Sequence, residues 1–183
     1  MTEGQDLRDC TRTIIAAFDS DPDREGLVQT PKRYIKFLEE FLSPPAFEMT
    51  TFTNEGKGSS MVMQSGIQFY SLCEHHMVPF FGTASIGYIP GERIVGLSKL
   101  ARILDHAARR FQNQERITEQ VADILEEQLK PMGVAVLLKA RHLCVEMRGI
   151  RKPGTETTTS VFRGDLDRPD CRMEFLLRTR DDR

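Results

Sequence analysis

Two consecutive helix-forming segments between strand-forming segments are the feature that most constrains how this 183-residue chain folds. Apolar residues recur at helical spacing from residue 98 to 111 and again from 117 to 129. The flanking segments, 67–89 and 134–147, are rich in β-branched and aromatic residues, which is typical of strands. This order predicts an α+β domain with helices packed on one face of an antiparallel sheet.

Helical spacing also appears near both ends of the chain, at residues 6–18, 30–42 and, more weakly, 170–177. The second of these segments stops at a Ser-Pro-Pro sequence, and a polar connection follows it. We therefore predict an N-terminal helical region, 1–45, and one sheet-containing unit, 46–183, which is long enough to bury a sizeable core.

The balance of charge excludes several classes of partner. The formal net charge is -2, so no broad basic surface is available for nucleic acid or an anionic membrane, and an anionic ligand needs a local group of Arg and Lys. No apolar stretch approaches the ~18 residues of a membrane span. The N-terminal residues are polar and acidic, unlike a secretory signal. A cytoplasmic protein is expected.

Cysteine and histidine are few but close together in the sequence. The chain has four of each: Cys10, Cys73, Cys144 and Cys171, with His75, His76, His106 and His142. Three of the histidines lie within two residues of a cysteine. Because disulfides are rare in a reducing compartment, such clustering indicates a metal site or catalysis.

Two short segments carry the candidate ligands. Cys73 and His76 are three residues apart in a predicted turn after a strand, so one tight loop can present both to one ion. His142 and Cys144 are two apart in the segment predicted as strand, and alternate strand residues face the same side. Both pairs can therefore contribute to a single pocket.

Zinc suits this mixture of sulfur and nitrogen donors, and two kinds of zinc site remain open. A catalytic site has three protein ligands and a water whose pKa falls to about 7, whereas a structural site is closed by a fourth ligand. Here the fourth ligand would be His75, Cys10 or Cys171. Histidines left unbound are candidates for proton transfer, while a cysteine on its own is more often a small buried hydrophobe.

Ordered motifs recur along nearly the whole chain, from about Asp21 to Arg178. They are Thr-Pro-Lys-Arg (30–33), Phe-Tyr-Ser-Leu-Cys-Glu-His-His (69–76), Gly-Tyr-Ile-Pro (87–90), Gly-Leu-Ser-Lys (96–99), Gln-Asn-Gln-Glu-Arg (112–116), His-Leu-Cys (142–144), Arg-Gly-Ile (148–150) and Thr-Thr-Thr-Ser (157–160). In this order and spacing the chain resembles the GTP cyclohydrolase I family.

The resemblance implies a reaction and a metal. The substrate would be GTP, which reacts with water to give 7,8-dihydroneopterin triphosphate and formate. This is the first step of pterin and folate or of 7-deazaguanine biosynthesis, routes that the sequence does not distinguish. One zinc ion per subunit would be held by Cys73, His76 and Cys144, with water in the fourth place. His75 and His142 would be the acid–base groups.

The resemblance also implies how the substrate is held. Glu115 would accept the N–H groups of guanine, with Gln114 beside it. The triphosphate would be held by Ser98, Lys99, Arg102, Arg148, Arg33 and Lys36. From spacing alone, the last two belong to a solvated helix face, and the resemblance replaces that interpretation.

Family members have the tunnelling fold, a small antiparallel sheet with helices on one face, which here would form the catalytic unit 46–183. Subunits join sheet edges into rings, and the usual assembly is a homodecamer of two pentamers with active sites between subunits. Ring closure protects strand edges that would otherwise be open.

This chain departs from the family pattern at a few positions. Asn113 stands where a small aliphatic residue is common, Thr155 replaces a serine, and Asp165-Leu166 is less apolar than usual. None of these is a predicted ligand or acid–base position.

Two rival functions are less consistent with the residues. A nitrile reductase of the same fold acts on a 7-deazaguanine with NADPH and a cysteine nucleophile, without zinc, and does not require the histidines of this chain. A zinc-stabilised assembly protein without catalysis would need neither His75 and His142 nor Glu115.

Overall fold

The computed structural model describes residues 3–44 and 46–179, which divide into two compact units. The first unit ends at Pro44 and contains three helices, in which α1 packs against α3. They are α1 (Glu3–Phe18), α2 (Glu25–Val28) and α3 (Thr30–Phe41).

The second unit contains all seven strands of the described residues. They are β1 (Thr51–Thr53), β2 (Val62–Cys73), β3 (Pro79–Ile89), β4 (Arg93–Val95), β5 (Phe111–Gln112), β6 (Gly133–His142) and β7 (Glu156–Gly164). β1 and β4 form a small antiparallel pair. The main sheet has the order β5-β2-β3-β6-β7 and is antiparallel except for the short β5, which runs parallel to the end of β2.

Helices cover both faces of the main sheet, but unequally. The helices of this unit are α4 (Ser98–Ala108), α5 (Gln114–Leu129), α6 (Leu143–Glu146) and α7 (Pro169–Arg178). The long helices α4 and α5 share the larger hydrophobic core with one face, including Val134, Val136 and Leu138 of β6. This confirms the predicted α+β fold, in which the two long helices pack on one face of the sheet. The short α7 places Phe175 in a second cluster that contains Ala135, on the opposite face. None of the described helices is long and apolar enough to cross a membrane.

The predicted strand 134–147 is wrong beyond His142. The chain turns there into α6, so Cys144 is helical. β3 begins at Pro79, and its pairing with β6 ends where Phe80 lies opposite His142. The pairing of β6 with β7 ends one residue earlier in β6. Residues after His142 therefore have no strand partner, whatever their β propensity.

Gly82 lies where two strand backbones approach most closely. A Cβ at this position would come within 1.9 Å of the carbonyl oxygen of Lys139 on β6. Because the obstacle is backbone, the β3–β6 pairing has to shift to relieve it, and we expect Gly82→Ala to lower the free energy of unfolding by about 3 kcal/mol or more.

Urea denaturation measures this loss, and Gly58→Ala is the matched control. No atom lies within 4 Å of a Cβ built at Gly58, so its effect should stay within about 0.5 kcal/mol. Equal stability of the two variants would show that the strands separate at Gly82 without cost.

Candidate metal centre and active site

The two ligand segments meet at one end of the main sheet. Cys73 ends β2, and the chain reverses within a few residues to begin β3. The turn is closed by the N–H of Cys73, which donates to Val78 O (2.9 Å), and by the N–H of Met77, which donates to Cys73 O (2.8 Å). Met77 has the left-handed φ of +55°, which is uncommon without glycine. This turn directs His76 back toward Cys73, as the spacing predicted.

Cys73, His76 and Cys144 form one group of possible metal ligands. Their ligand atoms all lie within 4.8 Å of one another, and Cys73 Sγ is 3.6 Å from His76 Nδ1. In a tetrahedral zinc site, bond lengths of about 2.3 Å to sulfur and 2.1 Å to nitrogen put neighbouring ligand atoms roughly 3.6 Å apart. Both the donor set and the spacing therefore fit zinc.

The structure gives no fourth protein ligand to this group among the described residues. Cys171 lies on α7 and packs in the core on the opposite face of the sheet. Cys10 is an exposed residue of the first unit. The His75 side chain is 66% exposed, and although its Nδ1 is 3.8 Å from Cys73 Sγ, it is not part of the three-residue group. The arrangement thus resembles an open site more than a closed one.

Burial makes the second thiol hard to ionise without a metal. The pKa of the Cys144 thiol is raised, first by burial and then by the neighbouring Cys73. Positive charge on Arg148 acts in the opposite direction. A bound divalent cation would instead lower the pKa of Cys144, because a coordinated thiol is deprotonated.

His142 makes two close contacts at the end of β6. Its ring stacks on Phe80, with the centroids 4.6 Å apart and an interplanar angle of 5°. Its Nε2 is 2.8 Å from Gln114 Oε1. Burial lowers the pKa of His142, and the carboxylate of Glu115 opposes this effect. His142 is therefore oriented by two contacts and is more readily neutral than an exposed histidine.

Gln114 determines which nitrogen of His142 carries the proton. Gln114 is buried, with 1% of the residue exposed. The amide nitrogen donates to the backbone oxygens of Leu138 (3.1 Å) and Thr157 (3.0 Å), so the amide oxygen must face the imidazole. Only a protonated Nε2 can donate to that oxygen, which leaves Nδ1 of neutral His142 unprotonated. The family resemblance implies a place for Gln114 beside guanine, and in the structure its amide contacts His142, Leu138 and Thr157.

Three further predicted residues lie at the same end of the sheet. Glu115 is exposed in the first turn of α5, and its charge reaches His142. Arg148 is exposed beyond α6, and its charge reaches Cys144. Exposed His75 lies in the ligand turn, with Nε2 3.7 Å from Glu74 Oε1. A carboxylate, a guanidinium and two imidazoles therefore lie at the same end of the sheet as the metal group.

Two of the remaining phosphate candidates, Ser98 and Lys99, lie away from the metal group within the second unit. The carbonyl of Ala108, at the C-terminal end of α4, accepts a hydrogen bond from Ser71, two residues before Cys73. Ser98 and Lys99 begin this 11-residue helix, so they lie about 15 Å further along it. Arg102 is exposed part of the way along. Arg33 and Lys36 are exposed on α3, in the first unit.

Sequence reasoning missed two ion pairs that hold the ligand segments. Glu74 in the ligand turn pairs with Arg116 of α5 (2.7 Å), which holds the pKa of Glu74 below its usual range. Glu146 of α6 is buried and makes a two-point contact with Arg141, at 2.8 and 2.6 Å. The position of Glu74 inside the Cys-Glu-His-His motif was the only local signal.

Comparisons with known proteins give a consistent result. The family model for GTP cyclohydrolase I matches residues 7–180. GTP cyclohydrolase 1 of Deinococcus radiodurans is 50% identical over 175 residues, covering 93% of this chain and 81% of that protein. The enzyme of the same name from Aquifex aeolicus is 47% identical over 171 residues, covering 93% of each chain.

One solved structure supports the fold. The crystal structure of the archaeosine synthase QueF-Like in the apo form matches with a TM-score of 0.50 at 18% identity, covering 59% of this chain and 97% of that one. At this level of identity the likeness concerns the fold alone, and it agrees with the predicted tunnelling fold.

Proposed function

Because the chain belongs to the GTP cyclohydrolase I family, a family of hydrolases, we propose that it converts GTP and water into 7,8-dihydroneopterin triphosphate and formate. The observation that carries this proposal is the open group of Cys73, His76 and Cys144 beside an oriented His142. A binding protein without catalysis would need neither the open metal place nor the positioned imidazole.

Zinc is the proposed metal. Two thiolates and one imidazole form a donor set that zinc binds in catalytic sites. When bound there, zinc would lower the pKa of a water molecule to near neutrality and so supply the nucleophile for carbon 8 of guanine. The protein's own part is to place the purine ring over this group and to move protons.

His142 is proposed to transfer protons through Nδ1. Gln114 occupies Nε2, so Nδ1 is the nitrogen left for the substrate, and the lowered pKa keeps it able to accept a proton near neutral pH. Exposed His75 is the second proposed acid–base group, suited to protonate the ring nitrogen that becomes an amine when the bond to carbon 8 breaks. Proton transfer of this kind contributes about 10²–10⁴ in rate.

Glu115 is proposed to recognise guanine. Its carboxylate projects from the first turn of α5 near His142, and it can accept the N1–H and the amino N–H of guanine together. Adenine lacks this pair of donors, so it would leave the carboxylate without hydrogen bonds, a large penalty in a polar site. Since the buried Gln114 contacts Nε2 of His142, we propose that it positions the imidazole beside the bound guanine.

The triphosphate is proposed to be held partly by a neighbouring subunit. Ser98 and Lys99 lie at the end of α4 remote from the metal group, so a second copy has to supply them. Both edges of the sheet have strands that could pair with a strand of another subunit. β7 is an edge strand, and β5 covers only Leu72 and Cys73 of β2. We propose the homodecamer of two pentamers that the family resemblance implies, with Arg102, Arg148, Arg33 and Lys36 as further phosphate contacts.

The test is turnover by the purified zinc-loaded protein. With GTP we expect one formate per GTP consumed and the absorbance of the dihydropterin product, and with ATP we expect neither. Removing the metal with a chelator should stop the reaction, and adding zinc should restore it. Sedimentation should give a particle about ten times the 20.9 kDa chain. An assembled, zinc-loaded protein that releases no formate would contradict the proposal.

A further inference from the structure

The ligand turn and the start of α5 are joined by four hydrogen bonds that converge on one residue. The N–H of Glu74 donates to Gln112 O (3.0 Å). Its carboxylate accepts from Arg116 at both oxygens, at 2.7 and 3.1 Å, and from Asn113 Nδ2 at 3.0 Å. We name this group of Glu74, Gln112, Asn113 and Arg116 the Glu74 clamp.

Asn113 has two roles in the clamp. Its Oδ1 accepts the backbone N–H of Arg116 (2.8 Å) and so caps α5, while its Nδ2 donates to Glu74. A small aliphatic residue at this position could do neither. Asn113 therefore adds a contact between the helix start and the ligand turn.

The clamp connects the two halves of the candidate site. On one side Glu74 lies between the ligand Cys73 and His75 in a turn of a few residues. On the other side Arg116 directly follows Glu115, the candidate for guanine recognition. A shift of the turn relative to α5 would change both the spacing of the metal ligands and the distance from the metal to the purine carboxylate.

The clamp is poorly suited to stabilising the fold as a whole. The side chains of Glu74 and Arg116 are 28% and 45% exposed, and ion pairs with such access to water contribute little to stability. The buried residues that hold this region together are Phe69, Phe80 and Ile117. Breaking the clamp is therefore expected to leave the fold unchanged and to alter the site.

We propose that the Glu74 clamp is a positioning device, which holds Cys73 and His76 in metal-binding geometry at a fixed distance from Glu115. The inference rests on the proposed function. Its members are positioning residues, because none of them supplies a metal ligand atom, and Glu74 reaches the site only through the side chain of His75, at 3.7 Å. Groups that orient metal ligands from outside the coordination shell typically contribute about 10- to 100-fold to metal affinity or activity.

The test measures zinc affinity by competition with a chromophoric chelator, in Glu74→Gln and in Asn113→Asp. The aspartate keeps an oxygen to cap α5 but has no donor for Glu74. We expect the zinc dissociation constant of each variant to rise about 10- to 100-fold, with an unchanged thermal unfolding midpoint of the metal-free protein. The absorption spectrum of the Co²⁺-substituted variants should also shift, since it reports the ligand geometry.

Two controls separate positioning from general damage. Glu119→Gln removes an equal charge from α5, where Glu119 pairs with Arg163, and should bind zinc as the unaltered protein does. Arg116→Lys, which keeps the charge, should lose less affinity than Arg116→Gln. Zinc affinities within twofold of the unaltered protein in Glu74→Gln and Asn113→Asp would overturn the inference.

These readouts do not depend on turnover. If the unaltered protein binds zinc but does not convert GTP, the proposed function fails and zinc competition still decides the role of the clamp. If the unaltered protein binds no zinc, the clamp has no metal site to position and both proposals are overturned together.

Discussion

Replacing Cys144 with alanine is expected to abolish both zinc binding and the conversion of GTP. Cys144 supplies one of the three ligand atoms that lie within 4.8 Å of one another. Complete zinc sites gain about 10–16 kcal/mol from their ligands, so losing one of three donors should weaken binding on the order of 10³-fold. The remaining thiolate and imidazole would not hold the ion during purification.

Metal analysis after gel filtration, together with formate release, measures both effects. The matched control is Cys171→Ala, because Cys171 is a partly buried cysteine on the opposite face of the sheet. It should keep one zinc per subunit and its turnover. A Cys144→Ala protein that still carried stoichiometric zinc would show that the ligand set has been misassigned.

Replacing His142 with alanine should separate the two effects, so that zinc is retained and turnover is lost. His142 contacts Gln114 and Phe80 and is not a member of the three-ligand group. Without it the proposed proton transfer at Nδ1 has no group to perform it, so kcat should fall about 10²–10⁴-fold. Zinc content should remain near one per subunit.

Single-turnover kinetics with metal analysis on the same samples checks this prediction. His106→Ala is the control, since His106 lies on α4 beside Phe47 and Arg110 and outside the metal group. Loss of zinc from His142→Ala would mean that His142 is a ligand. Unchanged turnover would remove it from the chemistry.

Local spacing was sufficient to predict part of the site. Cys73 and His76 are both in one tight turn, and a turn after a strand is a local structure that a few residues determine. The long helices were likewise predictable, because their apolar spacing matches the face that they bury. These features depend on neighbours in the sequence.

The second pair of residues shows where local reasoning stops. His142 and Cys144 do lie at the same end of the sheet, but not because alternate strand residues share a face. β6 ends where β3 supplies no further partner, and that limit is set by Pro79, far away in the sequence. The β propensity of a segment alone does not predict where a neighbouring strand ends.

Long-range pairs were also beyond prediction. Glu74 meets Arg116 only because β5 runs beside the end of β2 and delivers the start of α5 to the ligand turn. The burial of Gln114 likewise depends on oxygens contributed by β6 and β7. From the sequence, each of these residues could equally have faced solvent or substrate.

The position of the ligand group has a mechanical consequence as well as a chemical one. Cys73 ends β2 and Cys144 follows the end of β6, and the sheet connects these two strands only through β3. An ion shared by the two thiolates would be a cross-link between distant parts of the chain, restricting the unfolded state much as a disulfide does. It would also serve in a reducing environment, where disulfides do not persist. The supply of metal would then determine the stability of the folded protein as well as its activity.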